Sequence, residues 1–197
     1  MYIPPKPVRG PLLVLCGPMG SGKTSVGSAL STRWGVPILD TDDAVEETAQ
    51  RTIADIFLQD GEARFRELEH EAVAAALAQH DGIVALGGGA VLREDTQREL
   101  AAYVAGGGVV AFLDVSIEYA GPRVGLDDSR PLLMGNPRQR WIEIMGARRP
   151  VYDEVSTLRI LTDGVTPAEA ARELERRLRT AARPAAGTPV HGVHHSA

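Results

Sequence analysis

The chain has 197 residues, 44% of them hydrophobic and 24% charged, so it is long enough to bury a sizeable core and too ordinary in composition to be fibrous or wholly disordered. Its 21 basic and 26 acidic residues leave a net charge of −5, which argues against general binding of nucleic acid or anionic membranes; any anion must be met locally. No apolar run approaches the roughly 18 residues of a membrane span, the proline-rich start does not read as a secretory signal, and the single Cys16 excludes an intramolecular disulfide, so a cytoplasmic protein with one inert, buried thiol is expected.

Residues 1–10 are expected to form a flexible N-terminus, followed by one domain over 11–180. Leu12–Cys16 is a continuous apolar run, the pattern of a strand buried on both faces. A glycine-rich turn leads into a helix predicted over Lys23–Trp34, with Gly35 as its left-handed cap, and then a short strand over Val36–Leu39. Helices are predicted over Asp42–Arg51, Ile53–Phe57 and Glu62–His80. In the last of these, Phe65, Leu68, Ala72 and Ala76 recur at three- and four-residue intervals and should be buried. Ile83–Leu86 reads as a third strand ending in Gly87, Gly88 and Gly89; a helix over Asp95–Val104 and a strand over Val109–Leu113 follow, and Leu158–Leu161 is a weaker fifth strand. Gly121–Gly135, rich in glycine, proline and exposed charge, is expected to be a mobile loop. Asn136 and Pro137 start a helix predicted to end near Gly146, and Thr166, Pro167 and Glu169 form a capping-box pattern opening a helix over Ala168–Leu178. Residues 181–197 have no periodicity and are expected to be disordered.

Alternating strands and helices predict an α/β fold: a parallel sheet with helices on both faces, binding its ligands beyond the carboxyl ends of the strands. The clusters at 17–24, 40–43 and 87–89 should converge on that edge.

Gly17, Pro18, Met19, Gly20, Ser21, Gly22, Lys23 and Thr24 fit G-x-x-x-x-G-K-[ST] without mismatch, between a strand and a helix as the motif requires. Such a loop turns its backbone N–H groups and a helix N-terminus onto a phosphate, sets a lysine on the β and γ oxygens, and offers a hydroxyl to Mg²⁺. Lysine occurs only at Lys6 and Lys23, against 19 arginines. There is no Asn-Lys-x-Asp base reader, which excludes a typical GTP switch, and the length leaves room only for a small acceptor site and a lid.

Five motifs in order then resemble the shikimate kinase family, from Leu12 to about Leu178. They are the P-loop, Asp40-Thr41-Asp42, Gly61-Glu62-Ala63-Arg64-Phe65-Arg66, Gly87-Gly88-Gly89, and Arg130-Pro131-Leu132-Leu133 followed by Arg148-Arg149-Pro150-Val151-Tyr152. The resemblance implies a three-layer P-loop kinase fold with a mostly five-stranded parallel sheet and a mobile lid, about 121–135. It implies a monomer that phosphorylates the 3-hydroxyl of shikimate with ATP and Mg²⁺, a step toward chorismate and the aromatic amino acids, with no nucleic-acid or membrane partner.

By the same resemblance Arg66 and Arg148 hold the substrate carboxylate and Asp42 orients the attacking hydroxyl and accepts its proton. Gly88 and Gly89 admit the ring against the backbone; Gly87 reads equally well as a plain turn. Lys23 and Arg130 act on the transferring phosphoryl, and the nucleotide is held by Gly17 through Ser25, with Arg123 stacked on adenine, Arg130 from the lid, and Pro167 at the adenine edge. Thr24 ligates Mg²⁺ and Asp40 does so through water. On position alone Arg66 also reads as a helix-surface partner of Glu62 or Glu69, and Asp40–Asp43 as a helix cap. Asp114 imitates a Walker B carboxylate but reads as structural, Trp34 and Trp141 as packing residues, and His191, His194 and His195 as tail. Arg149 leaves open which of two neighbouring arginines meets the substrate. The rivals are a kinase for another hydroxy acid such as gluconate, and a nucleotide-binding module that signals to a partner.

Overall fold

Five short apolar runs pair into one parallel sheet in the order β2-β3-β1-β4-β5, in a computed structural model that describes residues 2–124 and 137–182. The strands are β1 (Leu13–Cys16), β2 (Ile38–Asp40), β3 (Ile83–Ala85), β4 (Val110–Asp114) and β5 (Leu158–Leu161). The interleaved helices are α1 (Lys23–Trp34), α2 (Thr41–Ala49), α3 (Ile53–Gln59), α4 (Gly61–Gln79), α5 (Glu94–Ala105), α6 (Ile117–Val124), α7 (Pro137–Val155) and α8 (Pro167–Ala181). Register fixes the two strands beside β1, with Val14 opposite Val84 on one side and Val110 on the other.

Successive strand residues point to opposite faces, so the sheet supports two cores. Val14, Cys16, Val84, Val110 and Phe112 pack against α4, α5, α6 and α7, while Leu13, Leu15, Ile83, Ala111 and Leu113 pack against α1 and α8. A small third cluster, Val45, Ile56, Phe65 and Leu68, joins α2, α3 and α4. Each fully buried side chain of this size contributes about 1.5–3 kcal/mol. Cys16 is buried in the first core, and burial pushes its thiol up to about 12, which leaves it protonated.

Three sequence expectations are corrected. β2 begins at Ile38 rather than Val36, because Val36 is held back by α1: its N–H donates to Ser31 O at 3.3 Å and its carbonyl accepts from Ser31 Oγ at 2.5 Å. Residues 121–124 are the last turn of α6, not loop; buried Ala120 and partly buried Ile117 dock this helix on the core despite Pro122. Helix α7 does not end near Gly146 but runs to Val155. Trp141, Met145 and Tyr152 share one buried face, and that packing outweighs the roughly 1 kcal/mol an interior glycine costs. The rest of the expected lid, with Arg130, and the tail from 183 lie outside the described residues.

Residues 2–10 form no helix or strand. Val8 N–H donates to Gly106 O at 3.1 Å and Lys6 pairs with Asp81 at 2.5 Å. Among the described residues no helix is long and apolar enough to cross a membrane. Where β3 enters the sheet, a Cβ on Gly82 would overlap the Pro37 carbonyl, which accepts from Ile83 N–H at 2.9 Å. Gly82→Ala is therefore expected to cost about 1–3 kcal/mol in denaturant unfolding; unchanged stability would show that the β2–β3 entry yields freely.

Candidate active site

The turn between β1 and α1 is shaped by backbone conformations that side chains resist. Gly22, the residue before α1, has φ 86°, and Gly17 has φ 144° with the Leu113 carbonyl where a Cβ would sit. The first N–H groups of α1 thereby face the loop without helical partners, and the first turn carries no acidic residue to offset the helix dipole. The side chain of Ser21 lies inside the loop, fully buried, and its hydroxyl has no partner among the described residues. Such an orphan in a ring of donors marks an anion cradle. Lys23 Nζ donates to the carbonyls of Gly17 and Pro18 at 2.9 and 3.1 Å, which holds the ammonium over the loop.

Beside the cradle, Thr24 Oγ1 donates to Asp40 Oδ2 at 2.6 Å, while Asp40 Oδ1 accepts from Asp42 N–H at 3.0 Å. Asp40 is thus both the cap of α2 and the carboxylate nearest the P-loop hydroxyl. One hydroxyl and one carboxylate, both hard oxygen donors, fit Mg²⁺, which keeps most of its ligands as water and phosphate oxygen. Among the described residues no cluster of three His, Cys, Asp or Glu is placed to bind a metal.

The second half of the site forms where α2, α4 and α7 meet the segment after β3. Thr41 Oγ1, fully buried, accepts from Gly87 N–H at 2.8 Å and ties the 40–42 segment to the glycines. A Cβ on Gly87 would overlap Asp42 Oδ1 and lie 2.8 Å from Glu69 Oε1; one on Gly89 would overlap the Arg66 guanidinium. These two positions are glycine because side chains crowd their backbone. Burial, reinforced by Asp40 and Glu69, pushes the Asp42 carboxyl up to about 6, with Lys23 acting against the shift. Arg66 pairs with buried Glu69 at 2.7 Å and with exposed Glu62 at 3.0 Å. Both helix partners expected from the sequence are therefore present, and they hold Arg66 at Gly89.

Arg148 and Arg149 separate cleanly. Arg148 Nη1 donates to Gly88 O at 3.2 Å, whereas Arg149 Nη1 donates to Asp114 Oδ2 at 2.6 Å. Asp114 also accepts from Arg159 at 2.5 Å, so it is an ion-pair anchor at the end of β4, as expected, and only Arg148 reaches the glycines. Arg123 Nη1 donates to Gly20 O at 3.2 Å and Nη2 to Thr162 O at 3.3 Å, placing it between the P-loop and the β5–α8 turn. Pro167 opens α8 behind the Thr166–Glu169 capping box at the end of that turn.

Sequence reasoning missed what α7 does here. Trp141 is buried as expected of a packing residue, but its indole N–H also donates to Met19 O in the P-loop at 3.2 Å. Tyr152 Oη donates to Gly88 O at 2.5 Å. The signal was available: 141, 145, 148 and 152 follow helical spacing, but stopping the helix at Gly146 hid it.

Comparison with known proteins places the chain in a family. A family model described as shikimate kinase matches residues 19–179. A shikimate kinase of Thermobifida fusca is 50% identical over 177 residues, covering 90% of this chain and 97% of the relative. One of Streptomyces coelicolor is 49% identical, covering 82% and 92%. Among solved structures, shikimate kinase from Acinetobacter baumannii in complex with shikimate superposes with a TM-score of 0.82 at 30% identity, covering 89% of this chain and 96% of that one.

Proposed function

Because this chain belongs to the shikimate kinase family, an ATP-dependent phosphotransferase acting on the 3-hydroxyl of shikimate in aromatic amino-acid biosynthesis, we propose that its two half-sites divide the reaction between them. Gly17 through Ser25 hold the nucleotide phosphates, with Lys23 on the β and γ oxygens and Arg123 and Pro167 toward the base. Arg66 and Arg148 bind the shikimate carboxylate, and the ring lies against Gly87, Gly88 and Gly89. Asp42 takes the proton of the 3-hydroxyl as its oxygen bonds to the γ-phosphorus. The bond from that phosphorus to the β–γ bridging oxygen breaks, giving ADP and 3-phosphoshikimate. Thr24, and Asp40 through water, would hold Mg²⁺, which when bound neutralises charge across the β and γ oxygens. Arg130 is assigned to the same phosphoryl from the segment after α6.

The observation that carries this reading is the convergence of two guanidinium groups and a carboxylate of raised pKa on three glycines beside an anion cradle. Guanidinium forks match a carboxylate as lysine cannot. The test is ADP release with Mg²⁺ and ATP in the presence of no acceptor, shikimate, gluconate or a nucleoside monophosphate. Stoichiometric turnover with shikimate alone is expected. Turnover with gluconate instead would move the acceptor to another hydroxy acid, and acceptor-independent nucleotide binding without turnover would favour a signalling module.

Arg66→Ala is expected to raise the shikimate KM about 10- to 100-fold with little change in kcat, the sign of lost uniform binding. A charge-assisted hydrogen bond contributes roughly 1.5–3 kcal/mol, in line with that range. An unchanged KM for shikimate would remove Arg66 from the carboxylate site.

A further inference from the structure

The carbonyl of Gly88 receives two donors from one helix: Tyr152 Oη at 2.5 Å and Arg148 Nη1 at 3.2 Å. A carbonyl oxygen has two lone pairs, so this one is saturated by residues four apart on one face of α7. The two donors differ in what holds them. Arg148 is partly exposed on a flexible stem. Tyr152 is fully buried, and its ring stacks on Phe112 of β4 with centroids 5.1 Å apart and planes 24° apart. Burial raises its hydroxyl well above the ordinary tyrosine value, so it remains a donor.

The peptide joining Gly88 to Gly89 is planar and trans, so its N–H points opposite to its C=O. With the carbonyl drawn toward Tyr152, the Gly89 N–H faces away from α7, and it makes no hydrogen bond among the described residues. The turn that contains this peptide is closed by Ala90 N–H donating to Gly87 O at 3.1 Å, and with glycine at both central positions such a turn accepts either orientation of its central peptide, so a contact from outside selects one.

We propose that Tyr152 is the positioning residue of the acceptor half-site: its hydroxyl fixes the Gly88–Gly89 peptide so that the Gly89 N–H is presented to the substrate, and it seats Arg148 beside the same carbonyl. This rests on the assignment of shikimate to the glycine segment. Tyr152 touches neither substrate nor reacting atoms and acts only through Gly88 and Arg148. Without its hydroxyl the peptide can rotate and Arg148 keeps a single, movable anchor.

The test is Tyr152→Phe, which keeps the ring stacked on Phe112 and deletes one oxygen, compared with the wild-type enzyme for KM of shikimate, KM of ATP, kcat and thermal midpoint. The expected result is a 5- to 30-fold rise in the shikimate KM, with the ATP KM unchanged within twofold and kcat within threefold. In the Arg148→Ala background, where the second anchor is gone, the same substitution should raise KM by a smaller factor, because the seating of Arg148 no longer counts. Shikimate and ATP KM values that both stay unchanged while the thermal midpoint falls would make the hydroxyl purely structural and overturn the proposal. Equal rises in both KM values would do the same, since a general loosening is not a positioning role. A wild-type enzyme idle with shikimate would overturn the acceptor assignment and this role together, whereas an active wild type with an unaffected Tyr152→Phe variant overturns this role alone.

Discussion

Lys23→Ala is expected to lower kcat by about 10²–10³ or more, the scale on which a preorganised donor to developing charge matters, while the thermal midpoint stays near that of the wild type. The ammonium is held by the carbonyls of Gly17 and Pro18 at 2.9 and 3.1 Å, over the loop that precedes α1. Its removal takes away the compact positive charge assigned to the β and γ oxygens but no part of either core. Lys23→Arg should fail nearly as badly, because a planar guanidinium is larger and cannot make the same point contacts. Steady-state ADP release with saturating shikimate measures this directly. Retention of more than a tenth of kcat in Lys23→Ala would sink the assignment.

Asp42→Asn is expected to cost about 10²–10⁴ in kcat, the usual contribution of a positioned general base, with binding of the nucleotide preserved. The amide keeps the size of the carboxyl and one acceptor but cannot take a proton. The pH dependence follows from the same group. Burial, with Asp40 and Glu69 adding to it, raises the folded carboxyl to about 6 from the ordinary aspartate value of 3.8. As a base it works ionised, so kcat/KM should climb through about pH 6 and level off above pH 7, and Asp42→Asn should lose that limb. For stability the sign is reversed. The folded state binds the Asp42 proton more tightly than the unfolded chain does, so this contribution is fully present below about pH 4 and is lost as pH rises through 6. Asp42→Asn should flatten that part of the stability profile. An acid limb that persists in Asp42→Asn would assign it to another group.

The P-loop was legible because the loop's chemistry is local. Its glycines are needed for backbone conformation at 17 and 22, and its lysine and hydroxyl lie on the following helix turn, so one stretch of sequence contains the whole device. The α/β order was legible for a related reason: a strand buried on both faces must be apolar throughout, as Leu13–Cys16 and Val110–Asp114 largely are. Arg66 was ambiguous by spacing, since Glu62 and Glu69 are its helix neighbours in any fold. The structure shows those pairs and the approach to Gly89 together. The choice between Arg148 and Arg149 could not be made from a helical pattern that places them 100° apart without saying where either points. In the folded chain Asp114, 35 positions earlier, takes Arg149, while Arg148 reaches Gly88.

By itself, then, the sequence determined what local chemistry determines: the anion cradle, the strand–helix alternation and, through motifs in order, the kind of reaction. Only the tertiary structure decided how the distant pieces are held. It continued α7 through Gly146 because Trp141, Met145 and Tyr152 bury one face together, and so brought Tyr152 to Gly88 and Trp141 to Met19. It also raised the carboxyl of Asp42 by closing Gly87 and Glu69 over it. The physical reason is the same in each case. Propensity and capping act over a few residues, whereas burial and the partners of a polar group depend on atoms that are adjacent only after the chain has folded.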